Sequence, residues 1–386
     1  MKKVYLYLFI LAATLGCKEK YVSPVISPTT GYLVVEGVIN SGSGTTNILL
    51  KRTVKLDNPL IVYEKGAIVT VDGDDNSKVY LKESLSGNYT ALGLNLNKSK
   101  KYRLNILTKD GKNYLSELVA VQSTPAIDSV SWKQDNTGLQ LYINTHDPTN
   151  LNKYYQWDYT ETWEYHSPFM QYLKYRQLNT AGGIKYDLVY FDPLLITINS
   201  AIYKCWPTEN SSNILLGSTV SLSDNKIFLP LNFISAGSVK LSQLYSINTR
   251  QYSLSLGRYN YLQKMKKNTE GTGSVFDAQP SELVGNILCV SNPSEPVIGY
   301  IDVCQVQESR IFVRNDQLAD WKYVTPCIQK EVLNNVDSIT AVQKQLLPTY
   351  VAKSSPFGGI LSYYFGMPDC VDCTFFGTNI KPIYWP

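Results

Sequence analysis

The sequence predicts a mainly β protein built from two β-sandwich domains in series. Of its 386 residues, 29 are Tyr, 11 are Phe and 6 are Trp, and aromatic and β-branched side chains favour strands over helices. Short alternating segments recur between turn signals over residues 31–122, which is the pattern of a sandwich. A helical spacing of apolar residues is evident near residues 256–267. The length is sufficient for two domains.

The first thirty residues predict export and a membrane anchor. Two lysines precede a mostly apolar run, Val4–Leu15, that is too short to span a bilayer. The run ends in Leu-Gly before Cys17, which resembles a bacterial lipoprotein signal in which residues 1–16 are removed and Cys17 receives the lipid. Residues 17–30 then form an extended tether. The alternative is an ordinary cleaved signal that leaves Cys17 free for a disulfide.

Residues 31–122 predict an N-terminal, Ig-like or transthyretin-like β-sandwich of seven strands. Asp110-Gly111 is a strong hairpin signal between the last two. The run Gly66–Val71, with Gly87–Tyr89 and Tyr102–Leu104, resembles the small carboxypeptidase-regulatory and transthyretin-like sandwiches, which implies a module that binds or spaces rather than catalyses. The predicted strands are Tyr32–Ile39, Asn47–Thr53, Ala67–Asp72, Lys78–Glu83, Asn88–Leu92, Tyr102–Thr108 and Tyr114–Val121.

An acidic stretch within this domain imitates a calcium-binding loop. Asp72, Asp74 and Asn76 alternate along it, and Glu83 follows eleven residues after Asp72. However, Ser77 stands where such a loop needs Gly, and the flanking segments are predicted to be strands rather than helices. A polar hairpin turn is therefore predicted, and no metal site.

Residues 123–310 predict a second, larger β-rich domain. Its segment 154–165 carries aromatic side chains at alternate positions, which places them on one face of a strand. Two interpretations follow: the inner face of a sandwich, which is the commoner use of such a face, or a platform on which a sugar ligand stacks. The aromatic residues are Tyr155, Trp157, Tyr159, Trp163 and Tyr165.

The rest of this domain contains a predicted insertion, a helix and closing strands. Pro and Gly residues break the strand pattern over residues 167–207, which predicts a long excursion from the sandwich. Apolar residues recur every three positions from Leu256 to Met265, with lysines nearby, which predicts a helix near 256–267. Further strands are predicted at Ser129–Lys133, Leu139–Thr145, Ile214–Leu222, Leu241–Leu254, Ile287–Ser291 and Val297–Gln307.

Six cysteines remain beyond Cys17, all in the second half of the chain. An even number in an exported protein predicts disulfides, and six cysteines allow fifteen pairings. Cys370 and Cys373 have half of a zinc-site spacing, but no second pair of ligands is evident in the sequence. Residues 311–386 are therefore predicted to be an irregular segment held by cross-links. The candidate disulfide cysteines are Cys205, Cys289, Cys304, Cys327, Cys370 and Cys373.

Charge and motif content argue against several classes of function. Lys and Arg number 36 against 32 acidic residues. This near balance of charge does not predict a basic surface that binds nucleic acid. The two histidines, His146 and His166, stand outside any recognised catalytic motif. Asp158, Glu161 and Glu164 lie close in sequence, but strand alternation puts Glu161 on the face opposite the other two, which does not favour a glycosidase pair. No phosphate-binding loop or cofactor motif is present, so a non-enzymatic protein is predicted.

Several stretches together resemble one family. They are Leu33–Gly37, Tyr114–Glu117, Pro125–Asp128, Tyr155–Trp163, Phe276–Pro280, Gly285–Ile287, Gly299–Ile301 and Cys370–Trp385. The combination resembles the Bacteroidota outer-membrane lipoproteins catalogued as domain of unknown function 4249, over nearly the whole mature chain. Such lipoproteins are typically encoded beside TonB-dependent outer-membrane receptors. The family has no established catalytic residues, and none are carried over.

The resemblance implies a lipid-anchored accessory or binding protein that works with a TonB-dependent receptor in nutrient uptake, with an unknown ligand. Two alternatives stay open: a cell-surface glycan or peptide hydrolase, and a structural or adhesive envelope lipoprotein. Lys18-Glu19-Lys20 partly resembles the export signal of surface lipoproteins in that phylum. An outer-membrane protein facing the cell surface is therefore predicted in preference to one facing the periplasm.

Overall fold

The computed structural model describes residues 31–55, 60–191, 198–270 and 283–386. The predicted signal, Cys17 and the tether lie outside the described residues. The molecule is mainly β, as predicted. Its strands form two large β units and a smaller C-terminal sheet. No helix among the described residues is long and apolar enough to cross a membrane.

The first β unit is one sheet of eleven described strands. These are β1 (Leu33–Asn40), β2 (Thr45–Arg52), β3 (Val62–Tyr63), β4 (Ile68–Gly73), β5 (Lys78–Leu85), β6 (Asn88–Leu92), β7 (Lys101–Leu107), β8 (Asn113–Ser116), β9 (Val119–Ala120), β21 (Ile287–Cys289) and β22 (Val303–Cys304). They follow in the order β21-β8-β7-β4-β5-β6-β2-β1-β22, with β3 beside β2 and β9 beside β7. The β1–β22 pair is parallel, and the other pairs are antiparallel.

Alternating apolar residues give this unit its core. Leu33 and Val35 on β1, Val69 and Val71 on β4, and Tyr114 on β8 are all buried in a single apolar cluster. Because β1 and β8 lie near opposite ends of the strand order, a shared core requires the sheet to fold over on itself. The predicted N-terminal sandwich is confirmed.

The acidic stretch forms the turn between β4 and β5. Gly73 N donates to Ser77 O at 2.8 Å, and Asn76 adopts a positive φ of 65°. Asp72 accepts from the Thr70 hydroxyl at 2.7 Å and from the Asn105 amide at 3.0 Å. A polar hairpin turn is thus confirmed. Across the part of the chain that the structure describes, no group of three or more His, Cys, Asp or Glu side chains is placed to hold a metal ion.

The chain returns to the first unit after it has built most of the second. Strand β21 pairs with β8, and β22 pairs with β1. Between them, Ile298 exchanges backbone hydrogen bonds with β1, through Val35 N at 2.8 Å and Leu33 O at 2.9 Å. The prediction that segments 287–291 and 297–307 close the second domain was therefore wrong. Strands β21 and β22, which lie in these segments, instead form the two ends of the first sheet's strand order.

The second β unit is a sandwich of two sheets. The three-stranded sheet has the order β10 (Ile127–Asp135), β11 (Gly138–His146) and β19 (Lys226–Ser235). The facing sheet has the order β17 (Thr208–Asn210), β12 (Tyr154–Trp163), β20 (Leu244–Ser253) and β23 (Gln307–Arg314), with β18 (Leu215–Ser218) also beside β12. Side chains from both sheets, among them Leu141, Trp157, Leu231 and Ile247, form one buried cluster. The predicted second sandwich is therefore present.

The predicted excursion and the C-terminal segment pack together. The excursion contains the hairpin β14 (Leu173–Thr180) and β15 (Gly183–Tyr190), and its strand β16 (Lys204–Cys205) pairs with β13 (Tyr165–His166), which lies just before it. The C-terminal segment contains a sheet ordered β24 (Lys330–Leu333), β26 (Ile360–Gly366), β25 (Leu347–Ser354). Leu173 is buried against Val332, Tyr363 and Phe365. Residues 311–386 are therefore more regular than the sequence predicted.

Three described α-helices complete the fold. They are α1 (Leu256–Glu270), α2 (Val336–Val342) and α3 (Pro368–Val371). Helix α1 is the predicted one, and it extends three residues beyond the predicted end at 267. Tyr261 and Leu262 on its buried face pack with Leu254, at the end of β20. The helix therefore lies against the second unit at the point where the chain turns back toward the first.

Four of the six candidate cysteines form disulfides. Cys205 bonds to Cys373, and Cys327 bonds to Cys370, so both bridges tie down the C-terminal segment. The prediction was wrong for Cys289 and Cys304, which are buried as free thiols on β21 and β22. These strands form the two ends of the first sheet's order, and there the side chains serve as small apolar core residues.

Candidate functional site

The five aromatic residues predicted from strand alternation lie in the core. Tyr155, Trp157, Tyr159, Trp163 and Tyr165 are each at most 6 % exposed. The Trp157 indole N–H donates to Gln251 Oε1 at 2.8 Å inside the sandwich. These side chains form the inner face of the second unit. They are therefore not exposed for a sugar ligand to stack on.

The three carboxylates of the same segment lie in three separate networks. Glu161, on the aromatic face, is buried and accepts hydrogen bonds from Tyr245 Oη at 2.6 Å and Asn232 Nδ2 at 2.7 Å. Lys240 Nζ lies 2.9 Å from its second oxygen. Burial, followed by the charge of Glu161, raises the pKa of Tyr245 well above its ordinary value. This network is fully paired and structural.

Glu164 and the histidines are paired elsewhere. Glu164 contacts Lys204 Nζ at 2.7 Å, His166 Nε2 at 2.8 Å and Trp385 Nε1 at 3.2 Å. Burial acts to raise the pKa of Glu164, but hydrogen bonds from Lys204 and His166 lower it overall. His146 Nδ1 lies 2.7 Å from Asp128 Oδ2. Each histidine is therefore paired with a carboxylate of its own.

A cleft of about 830 Å³ separates the two β units. Its floor is the polar face of the second unit's larger sheet, opposite the aromatic face. Gln156 and Asp158 on β12 stand directly across from Tyr252 and Arg250 on β20, because the antiparallel register pairs them. Strand β1 forms one wall and helix α1 the other. Pockets at such junctions, lined by apolar groups and a few convergent polar ones, are the usual form of a ligand site.

A row of alternating charge crosses the floor of the cleft. Asp158 accepts from Arg250 Nε and from Tyr252 Oη, the latter at 2.9 Å. Glu308 on β23 is the register partner of Arg250 on its other side. Burial acts to lower the pKa of Arg250, but the charge of Asp158 raises it overall. Arg250 also donates to the Thr160 hydroxyl at 3.1 Å, so the row is held rigidly.

Arg258 and Tyr261 project from α1 at the wall of the cleft. Arg258 is 7 % exposed and donates through Nη1 to two carbonyls, Gly37 O at 3.1 Å and Tyr300 O. Within the described ranges its Nε has no hydrogen-bond partner, and no carboxylate lies within ion-pair distance of it. The Tyr261 hydroxyl, on a side chain 5 % exposed, and the Gln156 Oε1 atom are likewise buried and unpartnered among the described residues.

The C-terminus covers the far end of the same polar face. The Arg310 guanidinium lies 3.6 Å above the ring of Tyr384, whose hydroxyl is 2.9 Å from Thr162 Oγ1. Trp385 packs edge-on against Phe312. The face is therefore closed by the last residues of the chain at one end and open to the cleft at the other.

Comparison with known families assigns the chain to one of them. Residues 18–310 match the model of a family described as a domain of unknown function (DUF4249). The chain belongs to this family. The match spans the first unit, helix α1 and the whole floor of the cleft, and it confirms the family resemblance drawn from the sequence for DUF4249. No curated protein matches the chain. The DUF4249 description names no activity.

The sequence predicted strand β12, but the binding residues predicted from it lie on its buried aromatic face and not on the polar face that lines the cleft. The signal for the polar face was present, because Gln156 and Asp158 alternate with the aromatic residues, and Arg250 and Tyr252 occupy alternate positions of β20. What the sequence did not reveal is that β1 and α1 come together above this face. A second cavity of about 850 Å³ at the end of the first unit is more open and lacks such convergent groups.

Proposed function

We propose that this protein is a binding protein that takes a small polar ligand into the cleft between its β units. One observation carries the proposal: three residues that line one cavity, Gln156, Arg258 and Tyr261, each carry a buried polar atom that has no hydrogen-bond partner among the described residues. The described residues contain eleven such atoms in all, so their convergence here singles out the cleft. A buried polar group left unpaired costs about 1–3 kcal/mol.

The composition of the cleft favours a ligand with both polar and apolar parts. Three tyrosines line it, Tyr252, Tyr261 and Tyr300, together with aliphatic residues such as Leu262 and Met265. Tyrosines supply flat apolar area with a polar tip. The volume of about 830 Å³ lies within the usual range for small-molecule sites. Ligands of this kind include short peptides and oligosaccharides.

The proposed site is one for binding rather than turnover. Asp158 alone of the three candidate carboxylates lines the cleft, and both of its oxygens accept hydrogen bonds. Glu161 and Glu164 lie in other networks. A hydrolase would need a second acid or base positioned to work with Asp158. Two further carboxylates line the cleft, but Glu36 is paired with Lys51 and Glu308 accepts a hydrogen bond from Asn248, and neither contact favours a hydrolase over simple binding.

The ligand proposal is tested by removing one hydroxyl. Tyr261→Phe deletes a group that has no partner in the described protein, so the variant should be as stable as the native chain or about 1 kcal/mol more stable. The same change should weaken ligand binding severalfold. Stability is measured by urea unfolding, and binding by the rise in melting temperature with a panel of peptides and oligosaccharides, since a ligand stabilises the folded state it binds.

The matched control is Tyr245→Phe. Its hydroxyl donates to Glu161 within the core, so the loss should destabilise the protein by about 1.5–3 kcal/mol, the range for hydrogen bonds to charged groups, and leave ligand binding unchanged. The proposal fails if Tyr261→Phe binds every ligand of the panel as the native protein does. Hydrolysis of a panel member, monitored in the same samples, would instead favour the enzyme.

We further propose that the protein is anchored in the outer membrane by lipid on Cys17, faces the cell surface and works beside a TonB-dependent receptor in nutrient uptake. The support is the N-terminal sequence and the family's typical neighbours. Mild detergent extraction of the outer membrane, capture of this protein and identification of its partners test the idea. Co-purification of a β-barrel receptor is expected. Repeated recovery without one favours a structural or adhesive role.

A further inference from the structure

The second cavity lies at the end of the first β unit where the described chain begins. Gly31 lines it, together with Lys55, Val62, Lys65 and Lys109. We call the surface made by Lys55, Ile61, Val62, Lys65 and Lys109 the basic end. These residues come from the segments on either side of β3 and from the loop after β7, which meet beside β2.

Three lysines of the basic end have no ion-pair partner among the described residues. Two other cations line the cavity, but Lys112 is paired with Glu295 at 2.7 Å and Arg52 is paired with Glu64. Lys55, Lys65 and Lys109 form no ion pair with any described residue. The carboxylates that line the cavity are Glu64, already used by Arg52, and Asp110.

Apolar side chains are exposed among these lysines. Ile61 is 59 % exposed and Val62 is 43 % exposed. Ile68 and Leu107, register partners on β4 and β7 at the same end of the sheet, are 53 % and 40 % exposed. Lysines beside exposed aliphatic residues are typical of surfaces that sit in the headgroup region of a bilayer, where both kinds of side chain are satisfied.

We propose that the basic end docks on the headgroup layer of a membrane that contains anionic lipid. This inference rests on the proposed lipid anchor at Cys17. Residues 18–30 join that cysteine to Gly31, and thirteen residues extend at most about 45 Å, which keeps this end of the molecule close to the anchoring bilayer. Charge complementarity then selects the anionic headgroups, with the exposed Ile61 and Val62 inserted between them.

Vesicle sedimentation of a chain that begins at residue 17 and carries Cys17→Ser, so that it has neither the signal nor the lipid, tests the docking. The chain should sediment with vesicles of phosphatidylethanolamine and phosphatidylglycerol, less with phosphatidylcholine alone, and less as salt is raised. The triple variant Lys55→Glu, Lys65→Glu and Lys109→Glu should bind the anionic vesicles at least roughly a hundredfold more weakly, because each lost lysine costs about fivefold and each added carboxylate is repelled. Ile61→Ser should weaken binding by a smaller factor.

The control is a charge-matched variant remote from this surface: Lys226→Glu, Lys322→Glu and Lys344→Glu, all at exposed positions. It should sediment as the parent chain does. Equal binding by both triple variants, equal binding to both kinds of vesicle, or no binding at all would overturn the proposal. Binding of ligands in the cleft should be the same in both variants, so a failure of the docking proposal leaves the ligand proposal standing, and the reverse also holds.

Discussion

The Asp147 carboxylate accepts the hydrogen bonds that hold the loop between β11 and β12. It follows β11, and its Oδ1 accepts from the backbone N–H and hydroxyl of Thr149 at 2.9 and 2.6 Å. Its Oδ2 accepts from the backbone of Leu151 and from both nitrogens of Asn152. Burial acts to raise the pKa of Asp147, but these hydrogen bonds lower it to about 2. The loop that leads into β12 is thus fixed by a single side chain.

Asp147→Asn should therefore change the response of stability to acid. The folded pKa of about 2 lies below the ordinary value of 3.8, so the carboxylate's contribution is complete above pH 3.8 and is lost as pH falls toward 2. The variant should be about 1.5–3 kcal/mol less stable at neutral pH, with a shallower loss over that acid window. Urea midpoints measured across pH give both quantities.

The exposed Asp337, at a side-chain exposure of 83 %, supplies the comparison. Asp337→Asn should leave the neutral stability and its acid dependence nearly unchanged, because an exposed ion pair contributes little. If Asp147→Asn and Asp337→Asn titrate alike, the turn after β11 does not depend on a charged carboxylate.

At the scale of single elements, alternation in the sequence predicted most strands, and the misses have identifiable causes. Strand β19 was missed because Pro230 interrupts its run, although a proline is tolerated on this edge strand at a bulge, where the register with β11 shifts. The hairpin β14–β15 was missed because Gly182-Gly183 interrupts the strand pattern, whereas Ala181 and Gly182 form the turn between Thr180 and its partner Gly183. Local patterns do not reveal such pairings.

The two disulfides should stabilise the C-terminal segment to different degrees. Cys205–Cys373 spans 168 residues and Cys327–Cys370 spans 43. Replacing both cysteines of a bridge by serine should cost about 2–4 kcal/mol, and more for the longer loop. Calorimetric melting of Cys205→Ser/Cys373→Ser and Cys327→Ser/Cys370→Ser, both compared with the native chain, measures the difference.

Thiol labelling gives an independent check on this assignment. In the denatured, unreduced protein, Cys289 and Cys304 should react, and the four bridged cysteines should not. Before denaturation Cys304 should be inert, because burial raises the pKa of its thiol to about 12 and keeps it protonated. Labelling at Cys373 or Cys370 would contradict the two bridges.

At the scale of the whole molecule, the sequence predicted two sandwiches but not which segments of the chain contribute strands to each. The expected boundary at residue 122 marks a change of unit, yet residues 287–304 belong to the first sheet. Pairing between distant segments has no local signature. The cleft could not be predicted for the same reason, since it exists where β1, α1 and β12 meet. Residues such as Arg258 acquire their environment only in the assembled fold.

The late return of the chain also bears on the protein's synthesis. When residue 122 has been made, β8 and β1 each still present an open edge. Strand β21 can cover β8 only after residue 289 has been made, and β22 can cover β1 only after residue 304. Open sheet edges pair readily with other chains. During synthesis, the first unit must therefore remain incomplete while residues 123–304, about half of the chain, are made. A nascent chain of this design needs protection from its neighbours until that closing segment arrives.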